Sequence, residues 1–144
     1  WVGGSAKQAV ERTATWGTGW QAGIENAADV KPVISAIKAR AAELGRNIAA
    51  DHFGAGFGFR LGAPNDPIVT KYNEMLTKRL GKAPSGFSAV GGVPEMMALV
   101  HDFHDAGVHK FILRPIASGA DEMIEQTKLM VEKLIPEIDA LNAT

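Results

Sequence analysis

The chain alternates short apolar runs with longer stretches in which apolar residues recur every three or four positions. Glycine or proline marks most of the changes. It opens on Trp1-Val2-Gly3-Gly4-Ser5, an apolar run closed by a glycine pair and a hydroxyl. Ala9, Val10, Thr13 and Ala14 then share one face of a helix expected from about Ala6 to Thr15, with Ser5 as its cap. Trp16-Gly17-Thr18-Gly19-Trp20 stops that helix and starts a short buried strand. Asp29 and Pro32 open a second helix, on which Val33, Ile34, Ile37, Ala41 and Leu44 fall at helical spacing before Gly45 ends it. From Asp51 to Gly62 the period changes to two. Phe53, Phe57, Phe59 and Leu61 alternate with small residues, which reads as a strand.

A Pro-Asn-Asp-Pro turn at 64–67 leads into a third helix ending near Gly81, followed by an irregular segment over about 81–92. Pro94 starts a fourth helix that turns Met96, Met97, Val100, Phe103 and His104 toward a core, with Gly107 as its C-cap. Lys110–Arg114 is expected to be a compact buried strand. Asp121 and Glu122 begin a last helix whose inward stripe is Met123, Thr127, Met130, Val131, Leu134 and Ile138. Strands alternating with helices imply a parallel sheet with crossover helices. Four strands fit a small open α/β sheet or half of an eight-stranded barrel equally well.

Composition narrows the partners. With 144 residues, 22% of them charged, and a net charge of −1, the chain lacks the basic excess that selects nucleic acid or an anionic membrane. No apolar run reaches the roughly 18 residues that span a bilayer. There is no cysteine, which excludes disulfides and thiolate metal sites and suits a cytoplasmic protein.

Gly3, Gly4 and Ser5 are the best ligand candidates. Glycines let a phosphate approach the backbone, the hydroxyl adds a donor, and a helix N-terminus follows. Lys7 in the first turn is mildly unfavourable for the helix dipole, a cost that a bound anion would offset. Arg60 and Arg114 end two strands, the edge that carries ligands in parallel α/β proteins, and each also has carboxylates within reach in sequence, Asp66 and Asp121. His101 and His104 share a helix face without a third metal ligand, and His52 and His109 precede strands. Gly54-Ala55-Gly56-Phe57-Gly58 lies inside a strand and is no dinucleotide fingerprint; its small residues leave room for a flat ring or a neighbouring strand.

Trp1-Val2-Gly3-Gly4-Ser5-Ala6, Trp16-Gly17-Thr18-Gly19-Trp20, Gly92-Val93-Pro94-Glu95, Asp105-Ala106-Gly107-Val108 and Phe111-Ile112-Leu113-Arg114-Pro115 resemble, in order and spacing, the C-terminal half of the bacterial luciferase-like superfamily of flavin- and deazaflavin-dependent oxidoreductases. The resemblance implies half of a (β/α)8 TIM barrel over residues 1–144: strands five to eight with their helices, and residues 63–92 as an insertion that acts as a lid. It implies FMN or a deazaflavin coenzyme, with the phosphate at Gly3, Gly4 and Ser5, and Phe57 helping to place the ring. It also implies that the first four strands, which commonly carry the catalytic side chains, are missing. A half-barrel leaves strand edges open, so a fragment of a longer chain, a homo-oligomer or association with the missing half is expected. The expected function is oxidation or reduction of a small-molecule substrate, by monooxygenation or hydride transfer. Two alternatives use the same residues: a barrel isomerase or lyase acting on a phosphorylated substrate, and a non-catalytic barrel fragment.

Overall fold

A computed structural model describes residues 1–81 and 83–142 of the chain. These form two compact units, Trp1–Gly56 with His101–Ile112, and Phe57–Val100 with Leu113–Thr144. The elements in order are β1 (Val2–Gly3), α1 (Lys7–Trp16), β2 (Trp20–Gln21), α2 (Ala27–Glu43), β3 (Phe53–Leu61), α3 (Pro67–Leu80), β4 (Ser88–Gly91), α4 (Val93–Asp105), β5 (Lys110–Pro115), α5 (Ala120–Leu129) and α6 (Ile135–Asn142). The fold is α/β with parallel strands, as the alternation predicts.

In the first unit β1 runs parallel to β2, with Val2 opposite Trp20, and β2 runs parallel to the start of β3, with Trp20 opposite Phe53. The His109 N–H bonds the Phe53 carbonyl as β5 joins β3. Trp20, Val30, Ile34, Ile37, Phe53, Phe103 and Val108 are buried here. Helix α2 forms because its apolar residues repeat at helical spacing and because the Asn26 side chain accepts the Asp29 N–H as a cap. Pro32 lies within α2, and Leu44 is its C-cap. The end of α1 is held from a distance: the Arg46 guanidinium donates to the carbonyls of Thr13, Ala14 and Gly17, at and just beyond the last turn, where helix carbonyls lack a full set of main-chain donors.

In the second unit the end of β3 runs parallel to β4, from Gly58 opposite Ser88 to Leu61 opposite Gly91. This strand is a correction: residues 81–92 are expected to be irregular, yet Ser88–Gly91 is paired along its length. Helix α3 starts on an Asp66 cap that accepts the Ile68 N–H and stops at Gly81 in the left-handed region. Phe57, Phe59, Val69, Leu76, Phe87, Met96, Val100 and Leu134 are buried.

Three further expectations need correcting. His104 is exposed on α4, and Leu99 takes the inward place instead. β5 is not buried on both faces: Lys110, Ile112 and Arg114 are exposed, Ile112 by 51%. Of the stripe foreseen for the last helix, Leu134 alone is buried, while Met123 and Val131 are about half exposed. The helix there is interrupted by a π-turn over Met130–Leu134. Pro136 follows it and has no N–H to give the carbonyl four residues back. The widened turn shifts the helical face for the residues beyond it. Met123 and Thr127 precede it and already face outward, because the buried place on α5 is taken by Gln126, whose amide bonds the Leu61 main chain.

Candidate functional site

β1 is two residues long, and the chain leaves it through Gly4, whose φ of +95° lies in the region that side chains disfavour. The buried Trp20 indole N–H donates to the Gly4 carbonyl at 2.8 Å. Carbonyl and N–H point in opposite directions across a trans peptide, so anchoring this carbonyl on Trp20 aims the Ser5 N–H the other way. Helix α1 begins at once, and its cap is Ala6, which contributes no side-chain bond. This corrects the assignment of Ser5 as cap: the Ser5 hydroxyl is exposed and is not spent on the helix. The first turn of α1 holds no acidic residue. The turn thus presents backbone donors, a hydroxyl and the positive end of a helix dipole, with Lys7 beside them.

The structure separates the two strand-end arginines. Arg60 is 8% exposed. Its Nε and Nη2 donate to Asp66, Nη2 donates also to Glu122 at 2.7 Å, and Nη1 donates to the Ile116 carbonyl at 2.9 Å. A phosphate would have to displace a carboxylate here, so of the two readings of Arg60, ligand contact and pairing with Asp66, these bonds favour the pairing and a role in the fold. Glu122 also accepts the Ser118 N–H and hydroxyl, and these bonds, followed by Arg60, hold its carboxyl down to about 2. Asp66, rather than Asp121, is the sequence-near carboxylate that engages an arginine. Arg114 is different. It is exposed on β5 and makes no salt bridge with another described residue.

The glycines of β3 do leave room, and the chain fills it. A Cβ on Gly54 would meet the Gln21 side chain and the Trp1 ring. One on Gly56 would lie 2.5 Å from the Ile112 carbonyl of the neighbouring strand. One on Gly58 would meet the Tyr72 hydroxyl and lie 2.7 Å from its Cζ. Phe57 faces the other way and is fully buried, so it is not available to a ligand ring. Three of the histidines make local contacts: His52 Nδ1 lies 2.6 Å from the Thr18 carbonyl, and His104 and His109 meet edge to face at 5.0 Å. The residues that sequence reasoning misses are Trp20, which orients the phosphate turn, and Tyr72. The Trp16–Trp20 motif hints at the first, and nothing local signals the second.

No family model and no curated protein matches the chain. Solved structures do. Long-chain alkane monooxygenase (LadA) aligns with a TM-score of 0.67 and 17% identity over 97% of this chain and 40% of its own. The coenzyme F420 dependent tetrahydromethanopterin reductase from Methanopyrus kandleri aligns with a TM-score of 0.67 and 16% identity, over 94% of this chain and 49% of its own. The fold is luciferase-like. Monooxygenase RslO1 from Streptomyces bottropensis repeats the match, with a TM-score of 0.66, 21% identity, and coverage of 91% and 45%. At these identities the match establishes the fold, and the chain spans less than half the length of each of these proteins.

Proposed function

We propose that the chain is the half of a luciferase-like barrel made of strands five to eight, and that its β1–α1 turn grips the phosphate of a flavin or deazaflavin coenzyme. The observation that carries this is the Trp20–Gly4 hydrogen bond, which points the Ser5 N–H outward beside an acid-free helix start. Gly3 and Gly4 let a phosphate approach the main chain, and Ser5 adds its hydroxyl. When bound, the coenzyme supplies hydride transfer or oxygen activation, chemistry that no side chain of this segment can replace. The luciferase-like neighbours include an F420-dependent secondary alcohol dehydrogenase and a riboflavin lyase with modified FMN, and both cofactor classes stay in the proposal.

In this reading the ring and the small-molecule substrate sit against a complementary barrel half. Trp1 and Ile112, both half exposed, are the apolar side chains that such a half would cover. The lid narrows: β4 is tied to β3 by its ladder and α3 is anchored through the buried Val69 and Leu76, so any closing motion falls to residues 83–86 between them.

Calorimetric titration with FMN and with riboflavin tests the grip, because the two differ by the phosphate. FMN is expected to bind at least tenfold more tightly. Ser5→Asp, which puts a negative charge at the helix start without harming the helix, removes that preference. Equal affinities for both ligands in both proteins overturn the proposal. Binding of phosphorylated sugars without flavin assigns the turn to a barrel isomerase or lyase instead.

A further inference from the structure

The two strand-end arginines have different surroundings, and the difference locates a second site. Arg60 is enclosed by Asp66, Glu122 and a carbonyl, whereas Arg114 is exposed with no carboxylate partner among the described residues. A guanidinium without a counter-ion keeps its whole set of donors for a ligand. In the same unit Tyr72 comes off α3 and lies against β3 at Gly58, where any larger residue would collide with its ring. Its hydroxyl is therefore placed by the backbone rather than left to wander. The Ile116 N–H bonds the Phe59 carbonyl as β5 pairs with β3, a register that sets Arg114 beside Gly58, on the strand position that Tyr72 covers. Burial raises the Tyr72 pKa, with Arg114 as the opposing influence, so the phenol keeps its proton and can donate. Ser88, the register partner of Gly58, and Asn73, next to Tyr72, line a cavity of about 360 Å³ with Val69, Pro84 and Val90. Its lining is mixed, with Asn73, Ser85 and Ser88 beside the apolar residues, and none of its polar groups is charged.

We propose that Arg114 and Tyr72 form an anion subsite that takes a carboxylate or phosphate group of a small ligand, the body of which occupies the adjoining cavity. The guanidinium fork matches two oxygens of such a group, and the phenol donates to one of them. This subsite does not depend on the β1–α1 turn. Failure of either is read separately, since the turn reports through the amides of residues 4–8 and this site through Tyr72.

Tyr72 is the single tyrosine of the chain, so ring-13C-tyrosine labelling gives one pair of signals. The labelled chain is titrated with inorganic phosphate and with benzoate, the two sources of the shared chemistry. The expected result is a saturable shift of the Tyr72 signals, with the tighter of the two anions naming the source. In Arg114→Gln the affinity falls at least tenfold while the Tyr72 signals keep their starting positions. Tyr72→Phe, followed by calorimetry, weakens the same anion about threefold and leaves the other half of the contact intact. No saturable shift with either anion, or equal affinity in Arg114→Gln, overturns the proposal.

Discussion

Replacing Arg60 by methionine keeps most of the side-chain volume and removes the guanidinium. The Ile116 carbonyl then loses its donor, and Asp66 and Glu122 lose their shared counter-ion. Breaking a fully buried pair from one side costs about 3–5 kcal/mol. Here the arginine is buried, but the Asp66 and Glu122 side chains keep 30% and 26% exposure, so water screens part of the loss. The expected destabilisation for Arg60→Met is about 2–3 kcal/mol. With a urea dependence of about 2 kcal/mol per molar for a chain of this size, the unfolding midpoint drops by about 1–1.5 M. Urea melts followed by far-UV circular dichroism read this directly. The triple change Arg60→Met, Asp66→Asn, Glu122→Gln recovers most of the midpoint, because no charge is then left unpaired. A drop of less than about 0.3 M for Arg60→Met, the size of an ordinary surface pair, refutes the assignment of Arg60 to the fold.

Two further outcomes follow from the same unit. The Glu122 carboxyl is held at about 2, well below its usual 4.5, so its contribution to stability is complete above pH 4.5 and is lost as pH falls toward 2; Glu122→Gln flattens the acid limb of a pH series of urea melts over that window. Tyr72 ionises above the usual 10 because of burial, and Arg114→Gln, by removing the cation that favours tyrosinate, moves its absorbance titration at 295 nm to still higher pH. A titration unchanged by that substitution contradicts the proximity of the two groups.

The parts of the fold that were legible in the sequence are those with local causes. Helix α3 announces itself through the Pro64–Pro67 turn and Gly81, and both act where expected, through the Asp66 cap and a left-handed stop. Helix α2 does so through the spacing of Val33, Ile34, Ile37 and Ala41. What escapes has a distant cause. β4 is four residues without alternation, and only its pairing with β3 makes it a strand. The last helix defeats periodic reading twice: a polar residue, Gln126, takes the buried place on α5, and the π-turn before Pro136 then changes the period itself. The same division holds for the candidate site. Gly3, Gly4 and Ser5 are visible as a motif, whereas the role of Trp20 requires a bond across sixteen residues, and the place of Tyr72 requires the approach of α3 to Gly58. Arg60 and Arg114 look alike in sequence because each ends a strand; their partners alone tell them apart.

Whether the β1–α1 turn holds a coenzyme phosphate is read at the turn itself by amide spectra of the 15N-labelled chain titrated with FMN. The largest saturable shifts are expected on the amides of Gly4, Ser5, Ala6, Lys7 and Gln8, and riboflavin at the same concentrations leaves those amides in place. Saturable FMN shifts confined to other residues, or identical shifts of these five with riboflavin, would contradict it.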